Sequence, residues 1–174
     1  TVQGFVRELR LARAAAGGEG YLELEWAPGT CQVDFGNFRA AVGGRALDLK
    51  LLVATLPHSN DRQCVALMSQ RSECLCAGLL EIFRRWGRLS LAVGSMVLDN
   101  ATEAGRMVRG EVTESRLFSQ FRAHYRFESR YCNPYSGNEK GSVENAVGFL
   151  RRNLLVPVPA FGTLPELNAF PAAG

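Results

Sequence analysis

The sequence has no apolar run approaching the roughly 18 residues that a helix needs to cross a bilayer. Its first residues also lack the basic, apolar and small succession of a secretory signal. A cytoplasmic protein without a membrane segment is therefore the expectation. Histidine is scarce, with only His58 and His124. The five cysteines, Cys31, Cys64, Cys74, Cys76 and Cys132, are odd in number and form no C-x-x-C pair. That inventory suits neither a disulfide scaffold nor a zinc site, and reduced, mostly buried thiols are expected. Repeats and low-complexity tracts are absent. Lysine is nearly absent too, since Lys50 and Lys140 are the only two among 20 basic residues.

What is present is ordinary in amount and uneven in distribution. The 174 residues are 47% hydrophobic and 21% charged, enough for one domain with a real core. A net charge of +3 does not by itself announce nucleic acid. The arginines, however, cluster at Arg84, Arg85 and Arg88, at Arg116, Arg122, Arg126 and Arg130, and at Arg151 and Arg152. A guanidinium grips phosphate through a planar fork, so such clusters suit a polyanion. Codon bias toward arginine is the plainer explanation of the same counts.

Residues 1–16 carry Val2, Phe5 and Leu9 at helical spacing and end at Gly17-Gly18. A connector follows over 19–30. Alternation predicts a short strand over Cys31–Phe35, with Val33 and Phe35 on one face and Gln32 and Asp34 on the other. A turn is expected over 37–44, a strand over Ala46–Leu56, a loop over 57–61 and a third strand over Gln63–Ser69. Ser72 is the expected cap of a helix running to Trp86, with Leu75, Leu79, Phe83 and Trp86 inward and Gly87 closing it. A buried strand then ends at Leu98-Asp99. Residues 101–110 read as a loop or short helix. Thr113 is the expected cap of a helix carrying Leu117, Phe118 and Phe121, with a strand at Tyr125–Phe127 after it. From Lys140, a long helix presents Val143, Val147, Leu150 and Leu154 as one apolar stripe. Glu144 lies beside that stripe, with Lys140 and Gly148 sharing its face. Pro157 and Pro159 stop the helix, and Thr163-Leu164-Pro165 starts another. A meander followed by alternating helices and strands implies an α/β fold, a mixed sheet with helices on both faces.

Three acids occupy special positions in that order. Asp34 is in the middle of a strand expected to be buried, where a charge needs compensation. Asp99 ends an apolar strand, at the edge where open α/β sheets place ligands. Glu144 is near the start of the last long helix; read alone, it is a boundary residue. If a fold gathered them, two carboxylates about 4 Å apart would repel by about 4 kcal/mol at an effective dielectric near 20. Hard divalent cations remove that conflict, and an all-oxygen ligand set selects Mg2+ or Mn2+ over zinc.

The runs Pro28-Gly29-Thr30-Cys31-Gln32-Val33-Asp34-Phe35-Gly36, Leu98-Asp99-Asn100 and Asn138-Glu139-Lys140-Gly141-Ser142-Val143-Glu144 resemble the catalytic cores of DDE transposases and retroviral integrases. The likeness is greatest to IstA-type insertion-sequence transposases, which Arg151-Arg152-Asn153 and Val156-Pro157-Val158-Pro159 also resemble. It covers roughly residues 26–168. The resemblance implies a ribonuclease-H-like, five-stranded mixed sheet flanked by helices. It implies Asp34, Asp99 and Glu144 as the catalytic triad, holding two Mg2+ or Mn2+ ions in the active complex. The reaction implied is cleavage at transposon ends and transfer of the freed 3′-hydroxyls into target DNA. Implied partners are transposon-end and target DNA, further copies of the chain on that DNA, and an ATPase helper protein. Lys140, Asn100, Arg151 and Arg152 would meet the DNA. On this likeness, residues 1–20 are a helical remnant of an upstream DNA-binding region and linker, 21–160 the catalytic core, and 161–174 the start of a downstream segment.

One stretch departs from the pattern. Relatives carry a basic residue shortly after the second acid, whereas Ala101-Thr102-Glu103-Ala104-Gly105-Arg106 offers Glu103 first. That acid would repel phosphate unless it turns inward, and Arg106 then takes the basic role. Two other functions compete: a ribonuclease-H-like nuclease acting on RNA–DNA hybrids, and a catalytically silent module for DNA binding or assembly. Tyr125, Tyr131 and Tyr135 lack the Arg-His-Arg set of a tyrosine recombinase, and His124 reads as structural.

Overall fold

The computed structural model of the chain describes residues 26–98, 101–108, 111–132, 148 and 157–169. The sheet begins with β1 (Thr30–Val42) and β2 (Arg45–Leu56), paired antiparallel from Gln32↔Thr55 to Val42↔Arg45. Gly43 and Gly44 join them with φ of 58° and 75°. Two successive left-handed residues suit the twist of a tight hairpin, which is why a glycine pair stands there. β3 (Asp61–Leu67) pairs antiparallel with β2. β4 (Ser95–Leu98) and β7 (Glu128–Tyr131) are parallel additions on the other side of β1, giving the order β3-β2-β1-β4-β7. These are the five expected strands. A two-residue strand, β8 (Ala160–Phe161), adds beside the far end of β1.

Helices cover both faces. α1 (Ser72–Trp86) buries Leu75, Leu79, Ile82, Phe83 and Trp86 against Val33, Leu52, Ala54, Met96 and Leu98. Each large side chain taken fully out of water there stabilises by about 1.5–3 kcal/mol. Gly78 lets α1 lie close to the sheet, since a Cβ at that position would stand 2.6 Å from Leu52 Cδ2. A 3-10 segment over 87–92 leads into β4, then come α2 (Ala101–Ala104) and a hairpin of β5 (Gly105–Val108) and β6 (Glu111–Glu114). α3 (Arg116–Tyr125) completes the first face through Phe118 and an aromatic cluster in which Phe83 meets Phe121, Tyr125 and Phe127. On the second face Phe38, Ala40, Leu49, Leu51 and Val53 pack with Leu167 of α4 (Leu164–Ala169).

Several local expectations are corrected. The first strand does not stop at Phe35: it runs through Gly36 to Val42, because Phe38 and Ala40 continue the inward alternation opposite a long partner. Ser72 does not cap α1; Arg71 is the cap residue without a side-chain bond, and Ser72 Oγ donates to the Glu103 carbonyl instead. Ser115 rather than Thr113 caps α3, accepting from Phe118 N at 3.2 Å. Tyr125 still belongs to that helix, so the following strand begins at Glu128, after the left-handed Arg126. The expected helices over 1–16 and from Lys140 lie outside the described residues, except that Gly148 is helical.

Candidate active site

Asp34 is the one member of the expected triad among the described residues. Strand alternation puts it on the face of β1 that carries Gln32, Phe38 and Ala40, opposite the face of Val33 and Phe35. It is half-buried, pairs across to Val53, and its Oδ1 accepts the Phe35 amide at 2.7 Å. On its other side the parallel ladder with β4 reaches Val33↔Leu98 among the described residues, and β4 pairs onward as Leu98↔Tyr131. Asp34 is thus one step beyond the last β1–β4 pair among the described residues, next to the Leu98 and Tyr131 ends of β4 and β7. Open α/β sheets collect their ligands at such ends. The Cys132 amide donates to the Leu98 carbonyl at 3.1 Å and carries the β7 exit along the same line.

Asp99, Asn100, Lys140, Glu144, Arg151 and Arg152 lie outside the described residues. Among the described residues no group of three or more His, Cys, Asp or Glu side chains is arranged to hold a metal ion. Asp34 itself suits a hard cation: it is a carboxylate, half-removed from water, on a rigid central strand. One carboxylate alone cannot hold such an ion.

Glu103 is turned inward. Only 5% of it is exposed, so it offers no charge to an incoming phosphate, while Arg106 is exposed on β5. The arginine clusters divide into two kinds. Arg84, Arg88, Arg116, Arg126 and Arg130 are exposed. Arg85 is engaged internally, donating to Glu81, the Cys64 carbonyl and the Asn168 carbonyl, and Arg122 is engaged with Glu114.

Sequence reasoning did not single out Glu114. It accepts from Arg122 Nε and Tyr131 Oη, each at 3.0 Å, and from Ser129 Oγ. Burial works to raise its carboxyl pKa. The bonds from Ser129, Arg122 and Tyr131, with the Arg122 charge, outweigh burial and hold it below the usual carboxylate range. Tyr131 is pushed upward, mainly by burial and also by Glu114.

No family model matches the sequence. The chain is 32% identical over 150 residues to a putative transposase for insertion sequence element IS5376 of Geobacillus stearothermophilus, covering 84% of this chain and 36% of that one. It is 31% identical over 174 residues to a transposase of Aminobacter aminovorans, covering 96% and 34%. It is 30% identical over 163 residues to the transposase for insertion sequences IS1326/IS1353 of Pseudomonas aeruginosa, covering 91% and 31%. The chain therefore spans about a third of the length of these relatives. Its fold is similar to the catalytic core domain of BIV integrase, with a TM-score of 0.54 at 14% identity, covering 74% of this chain and 70% of that one. It is also similar to the HTLV-2 integrase catalytic core domain in complex with magnesium, with a TM-score of 0.53 at 16% identity, covering 73% and 70%.

Proposed function

We propose that the chain, related at about 30% identity to insertion-sequence transposases over about a third of their length, is a transposase catalytic core that carries out metal-dependent DNA strand cleavage and strand transfer. One observation carries the site assignment: Asp34 stands one residue beyond the Val33↔Leu98 pair, and Asp99 is one residue beyond Leu98 in sequence. Neighbouring strands run about 4.8 Å apart, so two acids leaving adjacent strands at the same level start within reach of one shared ion. Glu144 is the third ligand in this reading.

Asp34, Asp99 and Glu144 would together hold two Mg2+ or Mn2+ ions. When bound, such ions supply Lewis acidity that activates a water or 3′-hydroxyl and offsets charge on the leaving oxygen. Asp34 contributes a fixed anchor, because its strand is paired on both sides and its Oδ1 is oriented by the Phe35 amide. Lys140, Asn100, Arg151 and Arg152 are proposed to contact DNA, with Arg106 as the basic residue following the second acid. Assembly of several copies on transposon-end and target DNA belongs to the same proposal. The ATPase helper stays an implication of the sequence resemblance, without support from the relatives or the fold.

The hybrid-cleaving nuclease is not favoured, since the relatives are transposases. The silent module rested partly on Glu103 facing DNA, and its burial removes that ground. The deciding experiment is Asp34→Asn. In the full-length transposase it should abolish nicking and joining of transposon ends. In the 174-residue chain it should leave the metal-free melting temperature equal or higher, because a charge has been removed, while ending stabilisation by Mn2+. Normal joining by the substituted enzyme would refute the role of Asp34.

A further inference from the structure

We propose that Glu114 is a positioning residue that fixes the two ends of the segment carrying Asp99. The inference rests on the reading of Asp99 as a metal ligand. Between Leu98 and α2 the chain has only Asp99 and Asn100. Both flanks of that pair are held by hydrogen bonds. Upstream, the Leu98 carbonyl accepts from Cys132 N at 3.1 Å. Downstream, α2 is tied twice, with the Ala104 carbonyl accepting from Ser115 N at 2.8 Å and the Glu103 carbonyl from Ser72 Oγ at 3.0 Å.

Glu114 joins the two flanks. It is the covalent neighbour of Ser115, and its backbone pairs with Gly105 at the start of β5. Its carboxylate accepts from Tyr131 and Ser129 of β7, whose next residue is Cys132, and from Arg122 of α3. The side chain is 14% exposed, so its bonds are little challenged by water. Gly105 permits the close approach: a Cβ there would lie 2.1 Å from the Thr113 carbonyl oxygen.

The chemistry demands a carboxylate at this point. Three donors converge on two oxygens, and Arg122 Nε can only donate. A glutamine could keep its one oxygen for Arg122 and turn its N–H groups to the Ser129 and Tyr131 hydroxyls, which would then have to accept, so all three bonds lose the carboxylate's charge. Loss of the junction would free the β7 exit and the Ser115–Ala104 tie together, and with them both flanks of Asp99.

The test uses the 174-residue chain. In hydrogen exchange without metal, Glu114→Gln and Glu114→Ala should speed exchange of the Cys132 and Ser115 amides by about tenfold relative to the Leu52 amide of the sheet centre. In Mn2+ titrations followed by thermal melting, Glu114→Gln should shift the midpoint to about tenfold higher Mn2+. Asp34→Asn serves as the variant without a metal response. A Glu114→Gln protein that melts lower but keeps wild-type exchange at Cys132 and Ser115, and the wild-type Mn2+ midpoint, would overturn the proposal by marking Glu114 as general scaffolding. If Asp34→Asn still responded to Mn2+, the metal reading would fall separately, and the amide exchange would decide the junction by itself.

Discussion

Burial and hydrogen bonding pull the Glu114 carboxyl in opposite directions, and the bonds from Ser129, Arg122 and Tyr131 prevail, so its pKa is lowered in the folded state. The consequence for stability has a definite sign. A carboxyl whose folded pKa lies below its unfolded one stabilises fully above the ordinary glutamate range, near about 4.3, and loses that contribution as pH falls through the folded value. Melting wild type and Glu114→Gln between about pH 7 and about pH 3 should therefore show a gap that is widest near neutrality and narrows in acid. A gap independent of pH would mean that the charge is not what the junction uses. Asp34 and Glu114 also differ in how readable they are. Asp34 interrupts an apolar alternation and is conspicuous in the sequence. Glu114 is one acid in a polar stretch, and its three partners come from two later elements.

At the scale of elements, among the described residues the β3 edge is closed by side chains rather than by another strand. Asn168 of α4 accepts the Ala66 amide at 2.7 Å and donates to the Ala66 carbonyl at 3.0 Å, while Arg85 covers the Cys64 carbonyl. An open edge is a template for pairing with other chains. Asn168→Ala should cost about 1–3 kcal/mol by leaving two part-buried backbone groups unsatisfied, and should raise the tendency to aggregate. Urea unfolding and light scattering check the two effects, and a variant unchanged in both would show that the amide clamp is dispensable. Local signals located most elements but misjudged several boundaries. Alternation alone predicts a strand ending at Phe35 and a turn over 37–44, yet a long partner strand carries β1 on to Val42. Thr113 and Ser115 are equally good caps by type, and only the β5–β6 pairing, which takes Thr113 into a strand, leaves Ser115 as the cap.

For the whole molecule, the segment after Pro157 holds the second face together. Phe161, Leu164 and Leu167 pack on the cluster of Phe38, Leu49, Leu51 and Val53, and β8 extends the sheet beside β1. A chain ended at Val156 should unfold at lower urea and expose apolar surface that binds a hydrophobic dye, while the α1 face keeps its contacts. An unchanged urea midpoint would show that this segment is an appendage. The sequence by itself determined the class of the fold, the order along the chain of the five main strands β1, β2, β3, β4 and β7, and Asp34 as an acid set in an apolar strand, but not the strands β5, β6 and β8. Those properties follow from alternation, helical spacing and turn residues, which act between near neighbours. Only the tertiary structure decided that Val33 lies beside Leu98, that Glu103 faces inward, and that Glu114 joins β7 to the flanks of the Asp99 segment. Such contacts join residues far apart in the chain and are fixed by how the sheet and helices pack, which no local pattern encodes.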